Sequence, residues 1–405
     1  MRIEELINYF QYDYPQPDPE HPLSIVVEVA ACPWKPEHRL VHIGLQGRTI
    51  PEENIPPRNL VFLLDVSGSM NQANKLPLLQ ASMRLLTKQL RQEDRVAIVV
   101  YAGAAGLVLP STAGSDKQTI RDAIDSLRAG GSTAGSQGIQ LAYEVAAESF
   151  IEGGINRVIL ATDGDFNVGI SSRGGLEDLI EDRRDSGIFL TVLGFGVGNL
   201  KDATMELLAD KGNGNYAYID SHQEAEKVLV REVGATLMTI AKDVKIQVEF
   251  NPAKVSAYRL VGYENRMLAA GHTVTALYEV VPVGVAFDTR TVDPLKYQEV
   301  RRRASASSSG ELLTVKLRYK EPDALFSTRL ELPLYDNPNA INNVNDNVKF
   351  SAAVAAFGML LRDSEYKGEA SFDMVLELAR ESRGDDPHGD RAEFLKLVTT
   401  AKNLS

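Results

Sequence analysis

Between Asn59 and about Ile240, apolar runs of four to seven residues alternate with stretches of helical period. That alternation is the signature of a parallel sheet covered on both faces. The runs are Leu60–Leu64, Val96–Tyr101, Val158–Ala161, Ile188–Phe195 and Tyr216–Ile219. Helices are expected over Lys75–Leu90, Asp116–Leu127, Ser136–Phe150, Gly175–Ser186 and Lys201–Ala209, with a longer one from Ser221 to about Thr239 closing the domain. On either side of this region the period changes to two. Ser24–Ala30 and Leu40–Leu45 before it, and Val244–Phe250, Thr273–Val281, Leu312–Tyr319 and Phe326–Leu332 after it, alternate apolar and polar residues as half-buried antiparallel strands do. From Val344 the pattern is helical again, predicting helices over Val344–Arg362, Ser371–Ser382 and Asp390–Lys402, punctuated by Gly368 and Pro387.

The chain therefore reads as α/β in class. A doubly wound, Rossmann-like domain over residues 58–240 is inserted in an antiparallel β-sandwich, whose strands lie in residues 1–57 and 241–335. A C-terminal helical region follows over residues 336–405. Residues 1–10 form a short amphipathic helix, and the polar stretch from Arg301 to Gly310 is a solvated loop.

Composition narrows the function classes. With 43 Lys plus Arg against 55 Asp plus Glu, the chain of 405 residues carries a formal net charge of −12. An acidic surface repels phosphate backbones and anionic lipid and suits cations, so nucleic acid is not an expected partner. The longest nearly apolar stretch, Val96–Leu109, contains Gly103 and Gly106 and ends at Pro110, so no direct membrane insertion is expected. The single Cys32 excludes an intramolecular disulfide and a Cys-rich zinc site, and reads as a buried small hydrophobe.

The run Leu60–Leu64 ends in Asp65-Val66-Ser67-Gly68-Ser69-Met70. This places a carboxylate and two hydroxyls at the carboxyl end of a central strand, where open α/β sheets bind ligands. Two later loops belong to the same edge: Gly130 to Gly135, with Ser132 and Thr133, and Thr162-Asp163-Gly164-Asp165 after Val158–Ala161. Each element also has a plain reading, since serines cap helices and Asp-Gly is a turn dipeptide. Asp65, Ser67, Ser69, Thr133 and Asp163 nevertheless resemble, in order and in setting, the metal-ion-dependent adhesion site of von Willebrand factor type A (VWA) domains.

The resemblance implies a Mg²⁺ ion, with Mn²⁺ or Ca²⁺ as substitutes, held by those five residues with Asp165 and Ser132 behind them. Such an ion takes about six oxygens near ~2.1 Å. The resemblance further implies that one position stays open for an Asp or Glu side chain of a protein partner. Beyond this domain, Arg2–Phe10, Tyr12–Pro15, Lys254–Asn265, Leu313–Asp323 and Phe350–Arg362 are similar to the bacterial YfbK-like VWA family. Many of its members begin with a signal or lipoprotein segment that is missing here, which implies export or lipid anchoring at the cell envelope for the parent protein. Relatives also carry an acidic segment that is missing at the Ala270–Gly271 junction.

Other chemistries find less support. Gly194-Phe195-Gly196-Val197-Gly198 lacks the spacing of a dinucleotide fingerprint, and no Walker lysine follows a glycine-rich loop. Of the six histidines only His38 and His42 are four apart, and they border a predicted strand and not a helix. The chain is thus expected to be a binding and assembly module and not an enzyme. An internal metal-linked structural switch without an external ligand is the alternative, and a metal-assisted hydrolase is a further one, for which only Asp163 or Asp165 is available as general base.

Overall fold

The computed structural model describes residues 2–102, 104–131, 135–164, 173–196, 202–232, 238–262, 268–269, 271–286, 309–322, 324, 326–336 and 344–405. The chain divides into two compact units. One comprises Met1–Thr49 with Thr239–Ser405, the other Ile50–Met238.

In the first unit, helix α1 (Ile3–Asn8) precedes strands β1 (Leu23–Ala31) and β2 (Arg39–Gly47). In the second, β3 (Arg58–Asp65) is followed by α2 (Leu76–Gln89), β4 (Arg95–Tyr101), β5 (Ala105–Ala113), α3 (Lys117–Ser126), α4 (Gly135–Glu148) and β6 (Ile155–Thr162). Helix α5 (Arg173–Asp185), β7 (Ile188–Phe195), α6 (Asp202–Lys211), β8 (Tyr216–Ile219) and α7 (His222–Glu226) complete it. These strands form one six-stranded sheet in the order β5-β4-β3-β6-β7-β8. All neighbours run parallel except β4 and β5.

Strand β3 shows why this sheet is covered on both faces. Successive side chains of a strand point to opposite faces. Leu60, Phe62 and Leu64 join one apolar cluster with α2 and α3, whereas Val61 and Leu63 join another with α4, α5 and α6. Every residue of β3 is buried. Because the chain steps from β3 to β4 on one side and later to β6 on the other, the strand order reverses at β3. Its carboxyl end is the topological switch point where such sheets open a crevice.

The structure adds to and revises the sequence expectations here. An antiparallel edge strand, β5, which the periodicity did not single out, follows Tyr101 and leaves Leu107 and Val108 exposed. Of the closing helix expected over Ser221 to about Thr239, the described residues show α7 and a π-helical segment over Lys227–Glu232, residues 233–237 lying outside the described residues. Thr239 instead opens a strand and pairs with Ala269 across a sheet.

The first unit resumes with β9 (Thr239–Phe250), β10 (Val255–Gly262), β11 (Leu268–Ala269), β12 (Thr273–Pro282), β13 (Glu311–Lys320) and β14 (Thr328–Tyr335). Strands pair as two four-stranded sheets, β1-β2-β12-β10 and β11-β9-β13-β14. Strand β10 was not expected from the sequence pattern, and β14 lies further along the chain than Phe326–Leu332, with Phe326 itself exposed. Val41, Ile43, Ala276 and Val280 of one sheet share an apolar cluster with Leu312, Leu313 and Val315 of the other.

Helices α8 (Asp346–Leu361), α9 (Phe372–Glu381) and α10 (Asp390–Leu404) end the chain. They share a second cluster with α1, Tyr12, Tyr14, Trp34, Leu40 and Leu277. Strand β2 is therefore buried on both faces, which explains why His42 is fully buried inside it. Its Nε2 lies 2.9 Å from the Tyr14 hydroxyl. Gly44 lies under the Tyr14 ring, and a Cβ there would come 2.5 Å from Cζ. Cys32 is a free, fully buried thiol.

Candidate metal centre at the carboxyl ends of β3 and β6

Asp65 is the last residue of β3 and is fully buried. Its Oδ1 accepts the Ser67 backbone N–H at 2.8 Å. Its Oδ2 accepts from the Tyr101 hydroxyl at the end of β4 and from Thr162 Oγ1 at the end of β6, both at 3.3 Å. Among the described residues no lysine or arginine bonds to this carboxylate. Burial raises the Asp65 carboxyl above its ordinary pKa; bonds from Ser67 oppose the shift and the charge of Asp163 reinforces it.

The two serines do not cap the next α-helix. Ser67 precedes a single 3-10 turn, Gly68–Met70, with no side-chain capping bond, and α2 begins only at Leu76. Their hydroxyls turn towards each other instead, with Oγ atoms 2.9 Å apart. Ser67 is buried and Ser69 exposed, so the pair leads from the buried carboxylate to the surface. Met70 anchors the turn by packing fully into the core.

The loop after α3 is tied to this turn by its backbone. Gly130 N–H donates to Val66 O at 2.7 Å, and Gly68 N–H donates to Gly131 O at 3.1 Å. Thr133 and Ser132, expected at the site, lie outside the described residues, as does Asp165. The bonds made by Gly130 and Gly131 hold this described part of the loop beside the turn that bears Ser67 and Ser69.

Asp163 follows β6 and is nearly buried. Gly164, at φ +100°, turns the chain away, and its N–H donates to Thr162 Oγ1 at 3.3 Å. Asp163 Oδ2 accepts from Lys75 Nζ at 2.8 Å. Sequence reasoning missed Lys75, Tyr101 and Thr162. Thr162 was within reach as the residue before Asp163, but nothing in the local pattern marks Lys75 or Tyr101.

The donor set fits a small, hard cation: two carboxylates near enough to influence each other, with two neutral hydroxyl oxygens beside them. Among the described residues no group of three or more His, Cys, Asp or Glu side chains is gathered for a metal. His38 is engaged with Glu279 and His42 with Tyr14, consistent with structural roles.

A family model described as von Willebrand factor type A domain matches residues 59–231. Two others, described as the C-terminal region of uncharacterized protein YfbK and as von Willebrand factor, match residues 235–404 and 1–42. Uncharacterized protein YfbK of Escherichia coli (strain K12) is 42% identical, over all of this chain and 73% of its own length. The alignment runs over 427 positions, more than the chain has, so that relative carries residues absent here.

Uncharacterized protein sll0103 of a Synechocystis strain is 27% identical over 46% of this chain and 43% of its own. A solved von Willebrand factor type A structure from Catenulispora acidiphila is 14% identical and covers 96% of this chain and 91% of its own, with a TM-score of 0.47. VWA domains are modules of protein interaction. With a VWA model across the six-stranded unit and 42% identity along its whole length, the chain belongs to the bacterial YfbK-like family of VWA proteins.

Proposed function

We propose that this protein is a metal-dependent binding module, in which Asp65, Ser67, Ser69 and Asp163, with Thr133, hold a Mg²⁺ ion that captures an Asp or Glu side chain of a protein partner. Asp165 and Ser132 stand behind that set, and Mn²⁺ or Ca²⁺ serves under the same donor chemistry. The carrying observation is Asp65 itself, a buried carboxylate at the switch point with no basic partner among the described residues and two hydroxyls beside it. A bound Mg²⁺ supplies an electrophilic position for a carboxylate oxygen.

The chain's own part is to hold the donors in place. Ser67 N–H, Tyr101 and Thr162 fix the Asp65 carboxylate, Met70 fixes the turn, and Gly68 and Gly130 fix the neighbouring loop. We read the two four-stranded sheets as one sandwich interrupted by the VWA unit, which presents the centre to the partner. The residue spans 1–57, 58–240, 241–335 and 336–405 are its proposed divisions.

Capture of partners from a lysate with Mg²⁺ and with chelator tests the reading, using the wild type and Asp65→Ala. A partner retained only by the wild type and only with Mg²⁺ is expected. Equal retention in all four arms would refute it.

A further inference from the structure

The candidate centre contains a cation of its own. Lys75 Nζ bonds Asp163 Oδ2 at 2.8 Å, with the two side chains only 11% and 3% exposed. Lys75 stands immediately before α2 and its main chain is fixed at both ends, its N–H donating to Gln72 O at 2.9 Å and its carbonyl accepting from Leu79 N–H at 2.8 Å. Its aliphatic stem runs across Gly196 at the end of β7. A Cβ at Gly196 would lie 2.4 Å from Lys75 Cε and 3.0 Å from Cγ, and φ there is +85°. The strand end thus omits a side chain where the lysine stem passes. Gly196, the middle glycine of the run that imitates a dinucleotide fingerprint, has this steric task.

We propose that Lys75 sets the cation threshold of the centre, as a tethered ammonium on Asp163 that a divalent ion has to overcome. The proposal rests on the metal-binding reading given above. An ammonium is a compact point charge. Near a buried carboxylate its field is several-fold stronger than in bulk water. A doubly charged ion approaching Asp163 meets both a competing bond at Oδ2 and the repulsion of the lysine. Neutralising residue 75 removes both, while a guanidinium there restores them.

The test is calorimetric titration of the full chain with MgCl₂, comparing wild type, Lys75→Met and Lys75→Arg. The methionine keeps an unbranched stem beside Gly196 and lacks the charge. Half-saturation should fall about tenfold or more in Lys75→Met and stay near the wild-type value in Lys75→Arg. A Lys75→Met midpoint equal to or above that of the wild type overturns the assignment of Lys75 while leaving the metal reading intact. Binding in neither wild type nor Lys75→Met, with Mg²⁺ or Mn²⁺, overturns both. If Lys75→Met does not fold, Lys75→Gln replaces it under the same criteria.

Discussion

The Ser67 backbone N–H donates to Asp65 Oδ1 at 2.8 Å, so the turn bearing both serine hydroxyls is closed on the carboxylate it surrounds. The same sheet has a second fully buried aspartate at its opposite end. Asp94, just before β4, receives Arg58 Nε at 3.3 Å and Arg91 Nη2 at 3.1 Å. A buried charge is ordinarily paired. Asp94 meets that rule with two guanidinium groups, and Asp65 is held by neutral donors.

Asp65→Asn should separate the two roles of this residue. Burial already holds the Asp65 carboxyl above its ordinary range, so the folded state carries the charge at a disadvantage. In chelator the variant is expected to melt no lower than the wild type. With metal at about 100 times its Kd, the wild type should gain about 2.7 kcal/mol, on the order of 5–10 °C for a domain of this size. Asp65→Asn should gain nothing. Calorimetry of the Ile50–Met238 transition checks both outcomes, and a variant that still shifts with Mg²⁺ contradicts the ligand role.

Glu279 of β12 ties the first unit together. Its carboxylate accepts from Trp34 Nε1 at 3.0 Å, from Arg259 Nε at 2.8 Å, and faces His38 Nδ1 at 2.5 Å. Burial pushes its pKa up, but the Arg259 charge and these bonds outweigh burial and hold it below the ordinary glutamate value. Its contribution is therefore complete above the unfolded pKa near 4.5 and lost as pH falls through the folded value. Glu279→Gln leaves the part-exposed Arg259 without its counter-charge and is expected to destabilise this unit by about 1–3 kcal/mol. Denaturant melts followed by fluorescence of Trp34, the single tryptophan, measure it.

His42 adds a second acid-sensitive element to the same unit. Burial lowers its pKa from 6.5 to about 3. The unfolded chain takes up a proton below pH 6.5 while the folded chain stays neutral, so stability declines by about 1.4 kcal/mol per pH unit until the folded value is reached. His42→Gln should flatten the profile between pH 6 and pH 5. An unchanged slope in that window would show that His42 is not its source.

Gly44→Ala tests the packing of Tyr14 onto β2. With a Cβ 2.5 Å from the ring, either Tyr14 or the strand has to move. Tyr14 also bonds Thr275 Oγ1 at 2.7 Å, so displacement of the ring breaks a buried network. An overpacking loss of about 1–3 kcal/mol is expected, read by the same fluorescence melts. A variant as stable as the wild type would show that the ring is free to shift.

Much of the α/β unit is written in local periodicity. Five apolar runs locate β3, β4, β6, β7 and the short edge strand β8, and the inner four need almost every side chain apolar because they are buried on both faces. The pattern missed β5 and β10 for the opposite reason. Edge pairing leaves Leu107, Val108, Tyr258 and Leu260 exposed, and register shifts interrupt both ladders, so neither shows a clean period. The closing helix was drawn too long because Thr239 belongs to a strand whose partners lie far along the chain.

By itself the sequence determined the strand-then-turn placement of Asp65, Ser67 and Ser69, since an apolar run followed by Asp-x-Ser-Gly-Ser is a local statement. Tertiary structure alone decided that Tyr101 and Thr162 converge on Asp65, that the Gly130–Gly131 backbone docks beside Gly68, and that Lys75 reaches Asp163 across Gly196. Those contacts join the ends of four different strands, loops and helices. Which ends become neighbours is set by the order of strands in the sheet, and strand order is a global property of packing that no local period encodes.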